Sequence, residues 1–288
     1  MPIGASSRVA AWGAAWVSRA PAAALVTLGG MVDETDWTQV FTEAFAAPPS
    51  SVEARIWREV YGLEFPAEVE PYSYVTRTEL AHFVDSLSVR DGDLLIDIGC
   101  GRGGPGLWVA AATGASLLGV DISPTALADA TARAERLGMA DRAAFAEGGF
   151  SAIPAQDGSA HALMSVDALL FALDKVAAAA EMARVLRPGG RLVATTWDYH
   201  TQPVGRPPQV ADHRPVLLGA GFDVIAYEET VNWESNQRRI DALVLENVDE
   251  LAAESGEDPA EVRAAAVAMA ATVDTMLRRV LIVAAKRT

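Results

Sequence analysis

The strongest constraint on this chain is a short apolar run that ends in glycines. Leu94-Leu95-Ile96-Asp97-Ile98 leads straight into Gly99-Cys100-Gly101-Arg102-Gly103-Gly104 and then Pro105. A nearly all-apolar run of that length reads as a strand buried on both faces of a parallel sheet. Glycines at its end permit positive φ and let the backbone approach a ligand closely. Proline suits the first turn of the helix predicted next, whose opening N–H groups lack partners within the helix.

The same punctuation recurs downstream. Residues 116–120 read as a second strand ending at Asp121, after which Ser123-Pro124 caps a helix to about Leu137. Further strands are predicted at 142–147, 161–166, 191–197, 222–229 and 279–285. Helices are predicted at 174–186, stopped by Pro188-Gly189-Gly190, and at 208–219. Upstream, 35–47, 51–61 and 75–88 read as helices, with Trp37, Phe41 and Phe45 on one stripe of the first. Between the last two strands, 235–277 reads as two helices, one opened by Asp258-Pro259. Strands alternating with helices imply crossover connections and an α/β fold, Rossmann-like and doubly wound, on a mostly parallel seven-stranded sheet.

Composition narrows the function. The 288 residues suit one α/β domain with extra helices, and just over half are hydrophobic, enough for a core. A formal charge of -15 repels phosphate backbones and argues against nucleic acid as partner. No apolar run reaches transmembrane length, so no membrane role is expected. The single cysteine, Cys100, excludes an intrachain disulfide framework and fits a cytoplasmic location. The four histidines show no ligand spacing, so no metal is expected. Residues 1–30 carry Arg8 and Arg19 but no acid, and read as a helical or poorly ordered arm. The alternative is that Met31 is the natural start.

The glycine loop also fits the dinucleotide pattern GxGxxG through Gly99, Gly101 and Gly104, with Asp121 following at a suitable distance. Asp97 weighs against that. A carboxylate there repels a pyrophosphate and favours a ligand carrying ammonium and sulfonium groups. Asp121, at the end of the next strand, is placed to accept hydrogen bonds from ribose hydroxyls. Cys100 reads as a small loop residue rather than a nucleophile.

With these segments in view, the chain resembles the class I S-adenosylmethionine-dependent methyltransferase family, in its small-molecule, natural-product branch. The resemblance covers about residues 72–230 and rests on LLIDIGCGRGGPGLWVA (94–110), LLGVDISPTAL (117–127), FAEGGFSAIPAQDGSAHALMSVDALLF (145–171) and ARVLRPGGRLVATTW (183–197). It implies a sheet whose last strand runs antiparallel, S-adenosylmethionine as cofactor, and S-adenosylhomocysteine as product. It places Asp97, Gly99, Cys100, Gly101 and Gly103 around the methionine part of the cofactor, Asp121 on the ribose and Ile122 against the adenine. Ser165 would line the methionine side, Tyr74 would be a further cofactor contact, and Phe150 would offer a backbone N–H to the adenine. Gly149 stands where the family often has an acid for the adenine amino group. That bond would then fall to a backbone carbonyl, to Glu147 or to water.

Methyl transfer asks the protein mainly for proximity and alignment, with a general base only for weak nucleophiles. His200, after the fifth strand, and Asp167, after the fourth, are the candidate catalytic residues. His213 reads as a surface or packing residue. Tyr72, Trp197, Tyr199 and Trp233 are candidates to wall an apolar substrate pocket. The expected organisation is an N-terminal arm and helical cover (1–70), a cofactor-binding domain (71–234 and 278–288), and a helical insertion (235–277) serving as substrate cover or homodimer contact. The leading expectation is transfer of a methyl group to O, N or C of a small, apolar metabolite. The alternatives are a non-methylating reaction such as cyclisation on the same fold, a nicotinamide-dependent oxidoreductase, and a non-catalytic partner subunit.

Overall fold

The computed structural model describes residues 36–288, so the expectation for residues 1–30 lies outside the described residues. In chain order, α1 (Trp37–Ala46), α2 (Ser51–Tyr61) and α3 (Arg77–Leu87) precede β1 (Leu94–Ile98). There follow α4 (Gly104–Thr113), β2 (Ser116–Asp121), α5 (Pro124–Arg136), β3 (Ala143–Glu147), β4 (Ala160–Val166), α6 (Lys175–Val185) and β5 (Leu186–Tyr199). The chain closes with α7 (Arg214–Gly219), β6 (Phe222–Glu229), α8 (Trp233–Glu246), α9 (Val248–Ser255), α10 (Pro259–Thr272) and β7 (Met276–Lys286).

The strands form one seven-stranded sheet in the order β3-β2-β1-β4-β5-β7-β6. β1 to β5 pair in parallel, and β7 runs antiparallel between β5 and β6. Leu95, Ile96, Leu163 and Val193 are wholly buried because helices cover both faces of the sheet. The order reverses between β1 and β4, and the crevice at their carboxyl ends is where doubly wound sheets take ligands.

Four elements differ from expectation. The helix expected at 208–219 is only Arg214–Gly219. Pro207 and Pro208 lack N–H groups, and the Gln202 amide donates to the carbonyls of Pro203, Arg206 and Pro207, holding the preceding segment as a loop. β5 starts at Leu186 rather than 191, and Pro188-Gly189-Gly190 lies within a register shift between Ala160 and Ala162 pairings. The insertion holds three helices rather than two. Asn247 divides the first pair: its backbone N–H and side-chain amide both donate to the Leu243 carbonyl. β7 is longer than expected, beginning at Met276. Among the described residues no helix is long and apolar enough to cross a membrane.

One buried ionic cluster ties these elements together. The Arg279 guanidinium on β7 meets Asp167 at 3.0 Å through both Nε and Nη2, and pairs with Glu79 of α3. Asp167 Oδ2 also accepts the Tyr74 N–H at 3.0 Å. Glu79 closes the capping box of α3 with Thr76. Burial alone would lower the proton affinity of Arg279, but the two carboxylates hold it above its ordinary value. Arg279→Met leaves two buried carboxylates without their cation. It should cost about 3–5 kcal/mol of stability, read as a lower urea midpoint with an unchanged m-value.

Candidate functional site

The crevice at the strand ends opens into a cavity of about 440 Å³. Its floor is the β1–α4 loop from Asp97 to Arg102, and its sides come from Asp121-Ile122, Gly148–Ser151 and Val166–Ala168. α1 contributes Trp37, Phe41 and Phe45, and the segment after β4 contributes Phe171. Phe41 meets Phe171 edge-on at 4.9 Å between centroids, and Phe45 lies 4.8 Å from Tyr72.

The loop geometry follows from its sequence. Gly99 sits at φ 73° and a Cβ there would lie 2.4 Å from Ala168 Cβ, so only glycine lets the β1 and β4 ends converge. The Gly99 and Cys100 N–H groups donate to the Val120 carbonyl. Gly101 N–H donates to Asp121 Oδ2 at 2.8 Å, and Ser123 N–H to Asp121 Oδ1 at 2.9 Å. Asp121 therefore fixes the loop and also faces the cavity. Its burial raises its pKa, with the amides of Ser123, Gly101 and Ile122 opposing. Asp97 is buried, and its Oδ2 has no hydrogen-bond partner. Burial first, then the charge of Asp121, pushes its carboxyl up to about 7, against the Gly106 amide. A Cβ at Gly106 would fall 2.4 Å from that oxygen, so the helix start is cut away to admit the carboxylate. Burial raises the Cys100 thiol well above its ordinary value, so the loop cysteine is no thiolate.

The residues expected from sequence divide into two groups. Asp97, Gly99, Cys100, Gly101, Asp121, Ile122, Gly149 and Phe150 are brought together around the cavity, as is Tyr72. The others, Asp167 apart, lie outside it. Gly103 starts α4 at φ 74°, and a Cβ there would meet Ala130, Phe145 and Leu107, so its place is a packing contact. Ser165 is fully buried below the loop, donating to the Ile98 carbonyl at 3.0 Å. The Tyr74 ring turns into the helical layer, against Trp57 and Trp197. His200 is exposed beside Thr201 and lines no part of the cavity. Asp167 does reach the wall, but both its oxygens are taken by Arg279 and Tyr74, which leaves it a structural anion rather than a base. Glu147 is exposed and lines no part of the cavity. Gly149 exchanges backbone hydrogen bonds with Ala152. Trp197, Tyr199 and Trp233 are core residues of the helical layer. His213 is buried, with Nδ1 2.9 Å from Asp198. No residue of 235–277 lines the cavity; those helices pack on Trp57, Tyr74 and Trp197.

The aromatic wall of α1 with Phe171, and Arg102 beneath it, had no assigned role in the sequence. The stripe at Trp37, Phe41 and Phe45 was visible, but its facing partner lies about 130 residues away.

Residues 95–190 match a family described as a methyltransferase domain. The chain is 32% identical over 127 residues to the methyltransferase GfsG of Streptomyces halstedii, covering 44% of this chain and 46% of that protein. It is 27% identical over 160 residues to the sterol 24-C-methyltransferase of Pneumocystis carinii, covering 49% and 42%. The chain thus spans about half the length of the curated relatives it matches. Among solved structures, the cyclase SpnF superposes with a TM-score of 0.65 at 21% identity, over 87% of this chain and 97% of that one. At that identity the likeness speaks to the fold.

The folded domain should show the cost of its buried acid. Asp97 is protonated in both states only well below pH 3.8, and ionises in the unfolded chain near 3.8 but in the folded one near 7. Ligand-free stability therefore falls as pH rises through that window. Asp97→Asn removes this titration. Its melting temperature should exceed that of the parent at pH 8, and the difference should shrink toward pH 4.

Proposed function

We propose that this chain transfers a methyl group from S-adenosylmethionine to an O, N or C atom of a small, apolar acceptor. The observation that carries the reading is Asp97: a buried carboxylate oxygen without a partner, set at a glycine loop beside a second acid. That pair of acceptors fits a cofactor with an ammonium group and ribose hydroxyls to donate. Bound S-adenosylmethionine supplies a methyl group activated by its sulfonium, and S-adenosylhomocysteine leaves.

The chain's own residues bind and orient. Asp97 would hold the ammonium, the loop from Gly99 to Gly101 would receive the methionine part, and Asp121 would accept from the ribose hydroxyls. Ile122, Gly149 and Phe150 would border the adenine. Trp37, Phe41, Phe45, Tyr72 and Phe171 offer an apolar surface for the acceptor and keep water out. Among the described residues the lining holds no histidine or lysine, and six carboxylates against one arginine. That balance disfavours a phosphorylated or otherwise anionic acceptor. It leaves proximity and alignment as the main source of rate.

Titration calorimetry tests the reading. S-adenosylmethionine and S-adenosylhomocysteine should bind in the micromolar range, and NADH should not. Asp121→Ala should weaken both at least about tenfold, roughly 1.4 kcal/mol. Binding of NADH in place of the sulfur nucleosides would overturn it.

A further inference from the structure

α1 walls the cavity on one side, yet its own sequence supplies nothing to finish it. Its last turn has no basic residue, and Ala47 at its end is extended. The next two residues, Pro48 and Pro49, have no N–H groups to return to the orphan carbonyls. The cap comes from elsewhere. Arg102, in the middle of the glycine loop, donates from Nη2 to the carbonyls of Phe45, at 3.0 Å, and Ala47. Its Nε pairs with Asp129 of α5 at 2.9 Å, and its guanidinium lies over the Phe45 ring at 5.3 Å. The side chain is only 12% exposed. A cation at a helix C-terminus also suits the macrodipole. One side chain therefore joins the glycine loop, the lower end of the aromatic wall, and the helix beneath both.

We propose that Arg102 is a positioning residue that couples the glycine loop to α1, so that a ligand seated on the loop also fastens the aromatic wall. The site's use by a sulfur nucleoside rests on the function proposed above; the latch itself does not. A helix held to the loop through Arg102 must show reciprocal coupling: what tightens the loop tightens α1, and what frees α1 weakens the ligand.

The test is hydrogen exchange across Trp37–Ala46, with and without S-adenosylhomocysteine, in the parent protein, Arg102→Met and Arg102→Lys. Ligand-free Arg102→Met should exchange α1 amides at least about tenfold faster than the parent, while Lys175–Val185 stays unchanged. The ligand should slow α1 exchange in the parent and leave it fast in Arg102→Met, whose affinity should fall five- to fiftyfold. Arg102→Lys should recover part of both effects, since one ammonium reaches fewer of the acceptors than a planar guanidinium. If Arg102→Met does not fold, Arg102→Lys and Arg102→Gln carry the same comparison. Exchange over α1 within twofold of the parent would overturn the latch. Failure of the parent to bind S-adenosylhomocysteine would sink the proposed cofactor, and the ligand-free comparison would still decide the latch.

Discussion

The buried contact between Arg279 and its two carboxylates, Asp167 and Glu79, is the constraint on which the arrangement of the cavity depends. It joins the antiparallel β7 to the turn after β4 and to the start of α3. Asp167 holds a left-handed conformation, φ 52°, which is costly for a non-glycine residue unless its surroundings impose it. Here the guanidinium and the Tyr74 N–H impose it. The neighbouring Ala168 is thereby pressed toward Gly99, and the two strand ends that frame the site are brought together.

The acids at the strand ends have been given different tasks by their neighbours. Asp121 is engaged by backbone amides and shapes the loop while still facing the cavity. Asp97 is buried with one oxygen unpartnered, an arrangement that costs stability. Asp167 is wholly consumed by structure. Identical side chains within one crevice thus differ in how far they are engaged, and the difference lies in hydrogen bonds rather than in residue type.

Much of the fold was legible because apolar runs and glycines act locally. The β1 and β6 bounds agree with the run at Leu94–Ile98 and with Phe222–Glu229, and Ser123-Pro124 opens α5 where the pattern placed it. The misplaced helix before Arg214 fails for a reason the sequence did contain, the prolines at 207, 208 and 215. Ser165 and Tyr74 were placed at the site by the family resemblance, and His200 because it follows the fifth strand. Whether a residue at a strand end faces the ligand or the layer beneath depends on the last turn of backbone, which nearby residues do not fix.

By itself the sequence determined the sheet, the strand-to-helix glycine loop, and the acids at Asp97 and Asp121, because each follows from short-range sterics and from the alternation of apolar segments. Tertiary structure alone decided which acids remain available to a ligand. It also decided that Phe171 would meet the stripe of α1, and that an arginine of the glycine loop would cap that helix. These outcomes turn on contacts between residues far apart in the chain, such as Phe45 with Arg102 and Asp167 with Arg279, and no local pattern records which distant side chain will fill a given hydrogen bond.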